Sequence, residues 1–396
     1  MKTASAWSTS DNTEAAVGGV YDKVRRELDG APDWLVVYTS VKHDCELVMN
    51  ALRRLAPGVP VHGGTSCLGV MTEEGLHTAG GTGLGVFGLK DPEGRYGVGA
   101  AENCDDPRAA GADAMRKALA ASGVPGRTPA MIWLTSAPGT EEDVLKGIEE
   151  VAGSRVPIAG GSSADNTIAG EWKQFTHEKV YSGGVVVTAL FPSTRIHSCF
   201  RSGYYPTEHS GIVTGASGRT LHTIDNRPAA EVYNAWTGGA IKEFMSGGNV
   251  LGVTSLHPLG RPQEIAAMTF YRLSHPETVT AEGGLTLFTN VEAGEKIVLM
   301  SGSRASLVAR SGVVAGYALE KDGISPERVA GALVIFCAGC MLTLQDEMER
   351  AVARIRESLG GNPFLGAFTF GEQGCLVDNT NYHGNLMTSV IVFERD

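Results

Sequence analysis

Leu333-Val334-Ile335-Phe336-Cys337-Ala338-Gly339-Cys340 is a short apolar run that ends in small residues and a Cys-x-x-Cys. A run of this kind reads as a β-strand buried on both faces. Leu344, Met348, Val352, Ile355 and Leu359 follow at helical spacing and predict one helix there. A second strand-like run covers residues 363–370 and ends in Gly371-Glu372-Gln373-Gly374-Cys375. A third, over residues 386–393, comes close to the last residue. If the first two strands are parallel, their C-terminal ends share one sheet edge. That edge would collect Cys337, Cys340, Glu372 and Cys375.

The same plan occurs twice more upstream. Val36-Val37-Tyr38-Thr39 precedes a helical pattern at 44–55, then His62-Gly63-Gly64-Thr65-Ser66, then a strand-like run at 84–89. Ile132-Trp133-Leu134-Thr135 precedes a helical pattern at 141–151, then Gly160-Gly161-Ser162-Ser163, then a run at 185–190. The interval from strand to glycine is 24 residues (39 to 63), 25 (135 to 160) and 29 (337 to 366). A further helical pattern leads into each copy, at 13–28, 107–121 and 305–319. The expectation is an α/β chain of three divergent helix–strand–helix–strand–strand units, a domain-scale duplication rather than a short-period solenoid. Residues 203–300 break the plan. Short strand-like runs at 250–255, 266–273, 285–290 and 296–300 alternate with turn residues, so a β-rich insertion precedes the third unit. Two domains are expected, 1–200 with two units and 201–396 with the insertion and the third. The segments 65–82 and 164–177 read as long loops.

Composition narrows the function classes. A net charge of −11 argues against a nucleic-acid partner held on a basic surface. No apolar run is long enough for membrane insertion, and the first residues lack the apolar core of a secretory signal, so a cytoplasmic location is expected. Seven cysteines in 396 residues are reduced thiols in that setting rather than a disulfide framework. The 52 glycines are about twice ordinary usage and lie among the strand-like runs, where tight turns and close backbone approaches need them.

The ordered motifs resemble the FIST family, which has an N-terminal and a C-terminal FIST domain. His62-Gly63-Gly64-Thr65-Ser66, Ala159-Gly160-Gly161-Ser162-Ser163-Ala164-Asp165 and the stretch from Ile212 through Asp225-Asn226-Arg227-Pro228 to Tyr233 carry the first. Phe336-Cys337-Ala338-Gly339, Leu365-Gly366-Ala367-Phe368-Thr369-Phe370-Gly371-Glu372 and His383-Gly384-Asn385 carry the second. The resemblance implies a sensory protein that binds a small-molecule ligand, with amino acids suggested and haem in some members. It also implies that a separate signalling output protein receives the signal. The family often has Arg after Cys-x-Gly; here that position is Cys340.

Two chemistries compete for the third unit. As a binding site, Gly64, Thr65, Ser66, Gly161, Ser162, Ser163 and Asp165 bring bare backbone, hydroxyls and a carboxylate to strand ends, where ligands sit in open α/β sheets. Cys337, Thr369, Gly371, Glu372 and His383 join them from the third unit. The plainer account is that the glycines permit close packing and that Asp165 and Asp378 cap their own turns. As a cysteine-dependent enzyme or redox protein, the set is Cys337, Cys340 and Cys375 with Glu372 or His383 as proton carrier. The spacing supplies neither a second Cys-x-x-Cys nor a histidine pair, so no metal site is expected. Haem binding stays possible, with no axial histidine singled out. Oligomeric state is left open by the sequence.

Overall fold

The computed structural model describes residues 1–102, 105–265 and 268–395. Cys104 and the first two residues of the expected 266–273 strand lie outside them. Three six-stranded sheets carry the three units, each in the same strand order. In every unit the two core strands are parallel: Trp34–Thr39 with Val61–Thr65, Met131–Ser136 with Ile158–Ser162, and Val329–Cys337 with Phe364–Thr369. The unit's last strand lies antiparallel beside the first core strand: Leu84–Lys90, Gly184–Phe191 and Met387–Glu394. A leading strand lies outside that one: Lys2–Ser8, Arg95–Glu102 and Ile196–Ser202.

The long loops at 65–82 and 164–177 are not loops throughout. Val70–Thr72 and Gly75–His77 form a hairpin, and so do Gln174–Phe175 and Val180–Tyr181. Neither hairpin stays in its own sheet. The first unit's pairs with Phe364–Thr369 of the third, and the second unit's pairs with Val61–Thr65 of the first. The third unit's hairpin, Glu372–Cys375 with Asn381–Gly384, pairs with Ile158–Ser162 of the second. The exchange closes a ring.

Burial explains why the ring holds. The inner faces of all three sheets meet in one core that includes Trp34, Trp133, Leu333, Phe87 and Phe393. The outer faces are covered by helices: Thr13–Glu27 and Cys45–Leu55, then Pro107–Ala121 and Glu141–Ala152, then Arg304–Glu320 and Met348–Ser358. Strands buried on both faces are near-continuously apolar, the pattern legible in each core run. Glycines let the exchanged hairpins seat. A Cβ on Gly63 would lie 2.2 Å from the Phe175 ring, and one on Gly366 would lie 2.5 Å from Met71.

The insertion follows the third unit's leading strand and builds its own antiparallel sheet and core, around Tyr233, Leu221 and Leu285. Two local expectations need correction. Residues 250–255 hold a short helix, Leu251–Thr254, rather than a strand: the buried residues are Val250 and Thr254, four apart as on one helix face, and Gly252 and Val253 between them are exposed. The single helix expected after Cys340 is two, Ala338–Leu344 and Met348–Ser358, broken at Gln345, where φ is 50°. Apolar periodicity continued across the break and concealed it.

Candidate functional site

The C-terminal ends of the third unit's parallel strands open into a cavity of about 650 Å³. Cys337, Gly339, Leu342, Thr343, Thr369, Phe370 and Asn385 line it from that unit. The second unit adds Pro138, Gly139, Glu141, Ile168 and Trp172, and the insertion closes the remaining side with Arg219, Leu251, Leu256, His275, Glu277 and Phe288. The walls are mostly apolar, with a few polar groups, the usual make-up of a small-molecule site. Backbone strain gathers here. Ile168 and Gln345 line the cavity with φ of 60° and 50°, and Leu386, next to Asn385, has φ of 56°. A β-branched residue such as Ile168 rarely tolerates this region, and strain of this kind clusters at ligand sites.

Behind Cys337 lies a closed chain of polar groups. Glu372 is fully buried; its Oε1 accepts from Thr369 Oγ1 at 3.0 Å and its Oε2 from the Met387 N–H at 3.0 Å. Burial, and then the neighbouring Cys337, pushes its carboxyl well above the usual carboxylate range. Cys337 and Cys340 are free thiols, and the hydrogen-bonding contact with Cys340 together with burial pushes the Cys337 thiol well up. Cys340 Sγ lies 3.6 Å from Tyr204 Oη, which donates to the Ser255 carbonyl at 2.7 Å. Low-pKa thiolates need the opposite surroundings.

Not every residue expected at this edge is there. Cys337, Cys340 and Glu372 come together, but Cys375 lies elsewhere, 3.8 Å from Ser198 Oγ, with burial pushing its thiol up. The reason is strand parity: residues three apart on an extended strand face opposite sides. His383 also stands apart from the thiols. Its Nδ1 meets Gln373 Nε2 at 3.1 Å, and its Nε2 lies 3.1 Å from the Phe288 carbonyl. It borders Glu141, whose Oε1 accepts from Ser162 Oγ at 2.7 Å; Gly371 packs beside the same ring.

The remaining expected residues lie at the joints between units. Thr65 N–H and Ser163 Oγ donate to the Lys173 carbonyl, at 2.9 and 3.0 Å. Ser66 Oγ accepts from the Phe368 N–H at 2.7 Å, and the Ser162 N–H donates to the Gly371 carbonyl at 2.8 Å. Gly64 and Gly161 pack against Thr135 and Thr369, each leaving only 2.6 Å for a Cβ. Asp165 accepts from the N–H groups of Thr167, Ile168 and Glu171, holding the turn that carries Ile168 and Trp172 to the cavity.

Sequence reasoning overlooked Arg219, His275 and Asn385. Arg219 Nη2 bonds Glu141 at 2.6 Å and Glu142 at 2.7 Å. Burial raises the Glu142 carboxyl, but His383 and Arg219 outweigh it and hold the group down to about 2. Ligand atoms of Glu141, Glu142 and His383 lie within 4.8 Å of one another, a spacing suited to a cation. The guanidinium already bridging both carboxylates does that work, so the trio is an ion-pair cluster. Among the cavity-lining residues His275 is the histidine, and its Nε2 has no partner. A haem iron would need such a nitrogen, so in this one respect the residues fit that group.

No helix among the described residues is long and apolar enough to cross a membrane. No curated protein matches the chain in sequence. A solved cyanuric acid hydrolase from A. caulinodans aligns over the whole of both chains at 9% identity with a TM-score of 0.40. PurLQS from Thermotoga maritima aligns over the whole of this chain and 73% of its own, at 9% identity and a TM-score of 0.20. Likenesses this distant carry no argument. The FIST N domain matches residues 33–227 and the FIST C domain residues 229–375. The chain thus belongs to the FIST family, whose domains are small-ligand sensory domains of signalling proteins.

Proposed function

We propose that the protein is a sensor whose small-molecule ligand occupies the cavity at Cys337 and Thr369. One observation carries the reading: a mostly apolar space of about 650 Å³ where two units and the insertion meet, at parallel strand ends. Ligand sites commonly run to about 300–1,000 Å³ and favour such edges. Gly371, Glu372 and His383 form the layer behind the contact residues. Gly64, Thr65, Ser66, Gly161, Ser162, Ser163 and Asp165 hold the unit joints that shape the cavity. In this reading residues 1–200 and 201–396 act as N- and C-terminal domains. A ligand touching both biases how they sit, and a separate cytoplasmic output protein reads the change.

A thermal-shift screen of amino acids, other small carboxylates, uncharged heterocycles and haem tests the reading. A ligand that binds only the folded chain at 100 times its Kd adds about 2.7 kcal/mol. A class that raises Tm supports the sensor, and haem would in addition give a Soret band. Silence across all classes overturns it.

A further inference from the structure

Two nearly buried polar side chains at the cavity wall hold atoms without partners. His275 is 5% exposed and its Nε2 is unbonded; Asn385 is 3% exposed and its Nδ2 is unbonded. A buried polar group left unpaired is destabilising, and a bound molecule can relieve that cost. The bonds these residues do make fix what they offer. Asn385 Oδ1 accepts from the His275 backbone N–H at 3.3 Å, which orients the amide and leaves Nδ2 as a donor. The Leu251 carbonyl lies beside the His275 ring and favours a ring N–H facing it, and because Nε2 is unbonded that N–H is assigned to Nδ1. Burial keeps the imidazole neutral, its pKa pushed down to about 4, so Nε2 is an acceptor.

Charge narrows the ligand further. Arg219 is held by Glu141 and Glu142, Arg304 meets Gln345 at 3.4 Å, and Glu277 accepts from Thr286 Oγ1 at 3.1 Å. Two arginines and two glutamates line the cavity, so their formal charges cancel. A ligand carboxylate placed beside His275 would face a neutral ring and an amide. Desolvating it there without a counter-ion is unfavourable.

We propose that the ligand is an uncharged molecule with an N–H donor and a C=O acceptor side by side, as in a lactam or carboxamide, on a flat apolar body. Its N–H donates to His275 Nε2 and its carbonyl accepts from Asn385 Nδ2, with the body against Phe288, Trp172 and Phe370. This class rests on the cavity being the sensor's ligand site.

Calorimetric titration of the full chain with four bicyclic probes tests it: quinolin-2-one, N-methylquinolin-2-one, naphthalene and quinoline-2-carboxylate. Quinolin-2-one is expected to bind about tenfold or more tighter than the other three, because only it satisfies both groups. Asn385→Asp keeps the acceptor for the His275 N–H and removes the donor; His275→Phe removes the ring acceptor. Each should erase the lactam's advantage over naphthalene and N-methylquinolin-2-one measured in the same variant, and if one variant fails to fold, the other decides with the N-methyl comparison. Equal binding of lactam and naphthalene overturns the class and leaves the cavity as a site. Tighter carboxylate binding, or a Soret band abolished by His275→Phe, also overturns it. If none of the four binds, the class fails, whereas the sensor reading fails only when the wider screen is silent too.

Discussion

Cys337 and Glu372 are the two residues whose surroundings speak most directly about chemistry, and in both the surroundings favour the neutral form. The Cys337 thiol is pushed up by its hydrogen-bonding contact with Cys340 and by burial, and burial pushes Cys375 up at its separate position. Iodoacetamide labelling of the native chain is therefore expected to be slow, with no midpoint below about 8.5. A thiol of this set titrating near neutrality would restore the cysteine-enzyme reading. For Glu372 the sign follows from a folded pKa raised above the unfolded value of about 4.3. Its contribution is fully present below that value and is lost as pH rises through the folded pKa. Glu372→Gln keeps an acceptor for the Met387 N–H and cannot ionise, so its Tm relative to the wild type should climb with pH. A relative Tm that falls as pH rises would show the carboxylate, not the acid, to be the native form. The parity that separates Glu372 from Cys375 was legible in the sequence. The place of Arg219, His275 and Asn385 at the cavity was not: Arg219 and Asn385 lie in quoted motifs that say nothing of what they face, and His275 lies in none, because the insertion and the final hairpin bring them there only in the fold.

At the scale of elements, the exchanged hairpins are the joints of the molecule. Gly63 packs so closely on the Phe175 ring of the second unit's hairpin that a Cβ there would lie 2.2 Å from it. Gly63→Val is expected to cost about 3 kcal/mol by overpacking, read as a lowered urea midpoint. A variant with an unchanged midpoint would mean that the hairpin seats loosely. The core strands and five flanking helices follow visibly from apolar runs and 3.6-residue spacing, with helix limits such as Pro107–Ala121 matching the pattern. The hairpins escaped because strands of two or three residues leave almost no periodic signal, and their partners lie in another unit. Lys2–Ser8 was hidden likewise: Lys2, Ser5 and Ser8 interrupt its apolar pattern.

For the molecule as a whole, the three sheets share a core that also buries neutral histidines. His62 bonds Thr135 and Thr188 of the second unit, both at 2.8 Å, and burial pushes its pKa down to about 3. A depressed folded value means that stability is present above the unfolded value of about 6.5 and is lost as pH falls toward the folded one. Each such histidine adds up to about 1.4 kcal/mol per pH unit to that slope. His62→Gln should flatten the fall in unfolding free energy between pH 6.5 and 4; an unchanged slope would mean that His62 takes a proton in the fold. The central claim concerns the cavity, and Gly339 gives the most direct access to it. The nearest atoms to a Cβ there are of Leu386 at 3.5 Å, Cys337 Sγ at 3.6 Å and His275 at 3.9 Å, all ordinary contacts. Gly339→Leu therefore starts from a Cβ that the site accommodates, projects side-chain bulk toward the cavity and favours its helix by up to about 1 kcal/mol. The decisive measurement is the ligand-induced Tm shift of the wild type beside that of Gly339→Leu. The account predicts a shift in the wild type and none in a variant that melts no lower without ligand; equal shifts in both would place the ligand elsewhere and contradict it.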